Sequence, residues 1–305
     1  MLVLQLLTAL ATDSAHSLTI PVAPKESLHV VAAGPVAGQA VVLIPGFFGS
    51  AFTFRKVTPA LNAAGYRTLV IEPLGIGGSS RPEKGDYSLS AQARRIGAVL
   101  DSLGVPAAIV VAHSNGGSIA LRLAVHRPSL VEGVLTIEGG PTESAVTPSF
   151  RSALRFAPWI KLFGGVKLIR WKIRHLLLDS SGDKTWVTDD VVTGYTAPAA
   201  VNLSATLKAY LAMAASPEPE KLAPRLGEIK CPVLLLVGGT PHDGDVGEKE
   251  VVLLQRTLPD FRVDSVPGAG HFLQEERPDV VVDRIEHLVG SKSSLDMIDA
   301  NRPHR

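Results

Sequence analysis

Short, continuous apolar runs alternate with helix-period segments along most of this chain. That alternation limits the folds open to it more than any other feature. The runs lie at 28–32, 40–44, 68–71, 107–112, 133–137, 232–237 and 262–266. Several are apolar at every position rather than at every second one, as strands covered on both faces must be. Between them, 53–64, 89–103, 118–126, 248–258 and 278–289 repeat their apolar residues at helical spacing. Strands separated by helices pair in parallel through crossover connections, so the pattern predicts an α/β fold, a mostly parallel sheet with helices on both faces. The crossovers are expected to be right-handed. The rhythm breaks between about 141 and 225, where no strand pattern occurs and helical segments are interrupted by Pro and Gly. This stretch reads as a helical cap (141–225) inserted into a core made of 1–140 and 226–305. The polar stretch 291–305, with Pro303, reads as a loose tail.

Composition narrows the function classes. With 305 residues and 46% hydrophobic content, the chain can bury one large core and a small extra domain. Thirty Lys and Arg against 29 Asp and Glu leave a formal charge of +1, which gives no sign of a nucleic-acid partner. The single cysteine, Cys231, excludes an intramolecular disulfide and reads as a buried thiol. The opening MLVLQLLTALA is short of the ~20 apolar residues that span a bilayer. It has the apolar region and the Ala9-Leu10-Ala11 site of a signal peptide but no preceding Lys or Arg. A cytoplasmic location is therefore favoured, and a secreted or periplasmic one follows if 1–11 is cleaved.

The chemistry centres on Val110-Val111-Ala112-His113-Ser114-Asn115-Gly116-Gly117. An apolar strand ends in a serine with small residues two positions before and after it, and a helix follows. Small neighbours are what a sharp strand-to-helix turn needs, and such a turn exposes the serine Oγ at the positive end of the helix. An ordinary N-cap serine would also suit this place. The strand, the helix and the remaining motifs favour a nucleophile.

These motifs resemble the α/β-hydrolase superfamily in four places, in the family's order. Ile44-Pro45-Gly46-Phe47-Phe48-Gly49-Ser50 is similar to the oxyanion loop. Glu72-Pro73-Leu74-Gly75-Ile76-Gly77-Gly78-Ser79-Ser80-Arg81-Pro82 resembles the glycine-rich turn after strand four. The segment around Ser114 resembles the nucleophile elbow, and Pro267-Gly268-Ala269-Gly270-His271-Phe272 the histidine loop. The likeness runs from about Leu28 to Leu288. Pro45-Gly46 stands where the family often has His-Gly. The resemblance implies Ser114 as nucleophile, His271 as general base, and the N–H groups of Phe47 and Asn115 as oxyanion donors.

The resemblance implies a third member, a carboxylate. Asp243 follows the apolar run 232–237, where the family usually places its acid, and is favoured. Asp245 is close by, and Glu138 ends the preceding strand, where some capped relatives carry theirs. Glu138 is otherwise expected in the pocket with Phe48. His113, pointing away from the elbow, is expected in the core or in support of the site, with lining of the pocket as the alternative. No cofactor is expected, because Gly75-x-Gly77-Gly78 runs into Ser79-Ser80-Arg81-Pro82 rather than into a helix. His242-Asp243-x-Asp245 holds metal-ligand residue types, but the sequence offers no second ligand cluster, and no metal is expected.

The implied reaction is acyl transfer to Ser114 and hydrolysis of a carboxylic ester, with an apolar small molecule as substrate. Carbon–carbon bond hydrolysis with the same triad, or ligand binding with little turnover, are the alternatives. Ser114 argues against haloalkane dehalogenases and epoxide hydrolases, which use an aspartate nucleophile. The cap segment 151–175 carries Arg151, Arg155, Lys161, Lys167, Arg170, Lys172 and Arg174 with Trp159 and Trp171 and no acid. A solvated basic face is the favoured reading, and contact with a membrane surface or an anionic substrate the other.

Overall fold

The computed structural model describes residues 15–146 and 165–288. Eight strands form one sheet in the order β1-β2-β4-β3-β5-β6-β7-β8. They are β1 (His16–Ala23), β2 (Glu26–Ala33), β3 (Ala40–Ile44), β4 (Arg67–Ile71), β5 (Ala108–His113), β6 (Val131–Ile137), β7 (Val233–Gly238) and β8 (Phe261–Val266). β2 pairs antiparallel with β1 and β4, and every other neighbouring pair is parallel. The helices are α1 (Thr58–Ala63), α2 (Leu89–Ser102), α3 (Gly116–His126), α4 (Gly165–Asp179), α5 (Asp189–Val201), α6 (Leu203–Ala215), α7 (Glu248–Thr257) and α8 (Leu273–Glu276), followed by α9 over 278–288.

The continuous apolar runs become the centre of the sheet because both of its faces are covered. All five residues of β3 and all six of β5 are buried. Their side chains divide by parity: Val42, Ile44, Val110 and Ala112 enter the core on one face, and Val41, Leu43, Ile109 and Val111 the core on the other. Each such Val, Leu or Ile contributes roughly 1.5–3 kcal/mol by leaving water.

Two elements differ from the sequence expectation. β1 is an additional edge strand whose residues alternate between half-buried and exposed, so it lacks the continuous run that marks a central strand. The segment expected as one helix over 53–64 is a 3₁₀ turn, Ala51–Phe54, and then α1, with Pro59 in its first turn. Proline has no N–H to continue a helix through that point but suits a helix start. Cys231, expected to be fully buried, is half-buried at the rim of the core.

Helices α4 to α6 lie between β6 and β7 and carry their own small apolar cluster, in which Ile173, Leu177, Trp186, Val191 and Tyr195 meet Phe272 of the core. Arg122 of α3, 2% exposed, ties both ends of this insertion to the sheet domain. It donates to Glu143 Oε2 at 2.6 Å and forms an ion pair with Glu218 at 3.7 Å, while Glu143 Oε1 accepts from the Leu222 N–H. Among the described residues, no helix is long and apolar enough to cross a membrane.

The start of α3 approaches the end of β6 so closely that two glycines face each other. A Cβ on Gly117 would stand 2.8 Å from Gly139 Cα, and one on Gly139 would stand 2.5 Å from the Ser114 carbonyl oxygen. Both neighbours are backbone, so neither yields by a rotamer change. Gly117→Ala is expected to destabilise the fold by about 1–3 kcal/mol, the range of overpacked sites. Gly227, whose Cβ would meet only the Thr257 carbonyl oxygen at 3.5 Å, is the control. Urea unfolding of the two alanine variants checks this, and equal midpoints would show that the approach is not tight.

Candidate active site

Ser114 sits between the last residue of β5 and the first turn of α3 with φ 54°. An L-residue held in the left-handed region costs on the order of 1–3 kcal/mol, so its surroundings must impose it. Two backbone bonds do so. The Ser114 N–H donates to the Ile137 carbonyl at 2.8 Å, and the Gly117 N–H donates to the Ser114 carbonyl at 2.8 Å. The loop after β3 packs directly on this turn, since a Cβ on Gly46 would stand 3.0 Å from Ser114 Cβ. Phe47, next in that loop, and Asn115 border the same cavity as Ser114.

His271 lies in the loop between β8 and α8, 9% exposed. Its backbone is held from two sides: its N–H donates to the Ser180 carbonyl at 2.8 Å, and its carbonyl accepts from His113 Nε2 at 3.0 Å. Glu276 secures the same junction by accepting from the N–H groups of Gly270, Gly182 and Asp183. The cap end at Ser180–Asp183 therefore fixes the histidine loop. Burial holds the His271 imidazole well below its usual value, the neighbouring His113 and His242 push in the same direction, and the Gly244 backbone opposes them. A ring kept neutral is the form that can accept a proton.

Ser114 and His271 line one cavity of about 1000 Å³. Phe47 and Phe48 meet edge to face at 5.1 Å, and both pack on Tyr210 of α6. Phe47 is 9% exposed and belongs to the core as well as to the cavity wall. The cap adds Ile173, Leu177 and Tyr195, so the wall opposite the sheet is largely apolar.

The carboxylates are arranged differently from the sequence expectation. Asp243 borders the cavity but is exposed, and no described hydrogen bond or ion pair joins it to His271. The residue of its loop that meets the imidazole is Gly244, where a Cβ would stand 3.3 Å from His271 Nδ1. Asp245 is exposed as well. The turn at Gly244, φ 89°, thus sets backbone close to the ring. The buried acid nearby is Glu138, whose side chain is fully covered and which is another non-glycine residue with positive φ, 48°. Its Oε1 accepts from the Gly238 N–H and its Oε2 from the Val246 N–H at 3.4 Å. A Glu138 oxygen, a His242 ring nitrogen and a His271 ring nitrogen lie within 4.8 Å of one another. Burial pushes the Glu138 carboxyl up, while the Gly238 N–H and the adjacent His242 draw it back down.

Sequence reasoning did not single out His242 as a neighbour of His271, nor Tyr210 as a support for the phenylalanine pair. His242 stood out in the sequence only as a metal-ligand residue type, and Tyr210 lies in α6, distant in the chain from the phenylalanine pair. His113 is buried, meets His271 edge to face and also borders the cavity. In the cap, Lys167, Arg170 and Lys172 are exposed beside Trp171, which is 54% exposed, and Arg174 pairs with Asp189. Arg151, Arg155, Trp159 and Lys161, like residues 1–11 and the tail, lie outside the described residues.

Burial lowers His113 to about 4. The unfolded chain takes up this proton near 6.5 and the folded protein only near 4, so stability falls as pH drops from 6.5 towards 4. The loss from this residue is on the order of 3 kcal/mol. Urea unfolding across that window should give His113→Asn a shallower pH slope than the wild type. Equal slopes would mean that His113 is not held neutral.

Comparison with known proteins agrees with this architecture. The profile described as Alpha/beta hydrolase family matches residues 41–284. Among curated relatives, the uncharacterized hydrolase YugF of Bacillus subtilis is 26% identical over 255 residues, 82% of this chain and 90% of the relative. The sn-1-specific diacylglycerol lipase ABHD11 of Mus musculus is 25% identical over 83% of this chain and 81% of its own. The 2-hydroxy-6-oxo-6-phenylhexa-2,4-dienoate hydrolase of Burkholderia cepacia is 27% identical over 83% and 87%. The sheet order, the capped insertion and the match over residues 41–284 together make this chain a member of the alpha/beta hydrolase family.

Proposed function

We propose that this protein is a serine hydrolase that cleaves a carboxylic ester of an apolar small molecule through an acyl-enzyme. The observation that carries the reading is the left-handed Ser114 at the start of α3, sharing a cavity with a buried His271. In this reading His271 takes the Ser114 proton as Oγ attacks the carbonyl carbon, and the N–H groups of Phe47 and Asn115 receive the oxyanion. His271 then protonates the leaving alcohol and later activates the water that releases the acid. The apolar wall of Phe47, Phe48, Ile173 and Leu177 supports an apolar acyl or alcohol part.

Glu138 takes the third role in place of Asp243. Its support is burial, the two backbone donors that fix its carboxylate, and its closeness to the His271 ring. It would hold the imidazole in its working tautomer and stabilise the imidazolium. The Burkholderia cepacia relative, named for a dienoate substrate, supports a second reading, hydrolysis of a carbon–carbon bond by the same residues.

Hydrolysis of p-nitrophenyl esters of graded acyl length tests the main reading. Ser114→Ala is expected to abolish turnover while keeping the fold, and a fluorophosphonate probe should label Ser114 alone in the wild type. Activity that survives in Ser114→Ala would end the assignment, and labelling without turnover would point to a binding protein. Replacing an orienting carboxylate by its amide can cost on the order of 10⁴ in kcat. Glu138→Gln is therefore expected to fall towards that loss and Asp243→Asn to lose far less; the reverse order would return the acid to the loop after β7.

A further inference from the structure

The loop after β7 brings His242 into the protein interior, where its side chain is 2% exposed. Its Nδ1–H donates to the Thr240 carbonyl at 2.6 Å. That bond fixes Nδ1 as a donor and turns Nε2 towards Glu138. Nε2 is buried without a hydrogen-bond partner and faces Glu138 Oε1 at 3.4 Å. Glu138 is itself an acceptor, held in place by the Gly238 and Val246 N–H groups. His271 Nδ1 is also buried without a hydrogen-bond partner. Two ring nitrogens and a carboxylate thus converge on one buried point, and such a cluster is costly unless a proton or a cation lies between its members.

We propose that Glu138, His242 and His271 form a binding site for a divalent transition metal of the zinc type, set behind the catalytic histidine. Two imidazoles and one carboxylate make a recognised zinc donor set. With bonds of about 2.1 Å, tetrahedral ligands stand about 3.4 Å apart, and the Glu138–His242 contact already has that separation. The His271 nitrogen, within 4.8 Å of the other two, closes the remaining gap by a ring shift. The outer contacts also suit a metal site, since ligating histidines donate their second N–H to a carbonyl and ligating carboxylates accept hydrogen bonds. Imidazole ligands favour zinc, copper and nickel over magnesium and calcium. The exposed Asp243 and Asp245 on the same cavity give the approach a negative potential.

The consequence for activity rests on the serine-hydrolase reading. A metal on His271 Nδ1 leaves the neutral ring protonated at Nε2. The ring then cannot accept the Ser114 proton, and bound zinc switches hydrolysis off until a chelator removes it.

Titration calorimetry with zinc sulfate on the chelator-treated full chain tests the site independently of turnover. The wild type and Ser114→Ala are expected to bind one zinc each, and magnesium none. His242→Gln and Glu138→Gln, checked for folding by circular dichroism, should bind at least about 10–100-fold more weakly, since even outer-contact changes cause such losses. Absence of one-to-one binding, or equal affinity in folded His242→Gln, would overturn the site. Zinc should slow p-nitrophenyl ester hydrolysis by the wild type, and chelation should restore it. Binding without inhibition would overturn the switch, whereas binding by a protein that hydrolyses no ester would uphold the site and remove only the ester reading.

Discussion

The backbone turn at Ser114 is the constraint on which the rest of the site depends. The strand before it is buried on both faces, and the helix after it must start within two residues. Only a left-handed residue makes that connection, and a serine there is held against its own preference. The restraint comes from two backbone bonds and from glycines at 117 and 139, which let α3 lie against the end of β6. Strain at the serine is thus offset by packing where α3 meets the end of β6.

The same approach sets the electrostatics. It draws the ends of β5, β6 and β7 together, and with them His113, Glu138 and the loop carrying His242. His271 joins them from beyond β8, pinned by the Ser180 carbonyl of the cap and by His113. Three imidazoles and one carboxylate then share one largely buried corner of the cavity. Burial disfavours the charged form of His113 and His271, and the Glu138 carboxyl lies beside them. Cap and core meet at this point, so the insertion that encloses the cavity also fixes the base.

The different burial of Asp243 and Glu138 has a plain physical origin. A loop of Gly238-Gly239-Thr240-Pro241-His242-Asp243-Gly244 can aim either side chain inward. His242 takes the interior place because Thr240 satisfies its Nδ1–H, and Asp243 stays in water, where its charge is solvated. Glu138, at the end of a buried strand, is fully covered and accepts from the Gly238 and Val246 N–H groups.

The sequence by itself determined the layer architecture, because continuous apolar runs admit only strands covered on both faces, and the runs at 40–44 and 107–112 are the sheet centre. It also determined the serine turn, since Ala112, Gly116 and Gly117 leave room for little else, and the histidine loop of Pro267-Gly268-Ala269-Gly270-His271. These signals are local: residue size, periodicity and turn chemistry act within a few positions. The alternating edge strand β1 and the break at Pro59 were less legible, because half-buried edges and short 3₁₀ turns leave weak patterns. Only the tertiary structure decided which carboxylate stands by His271, and that His242 faces Glu138 across 3.4 Å. Residues 138, 242 and 271 meet through the pairing of β6 with β7 and of β7 with β8, and no spacing along the chain encodes the directions in which their side chains point.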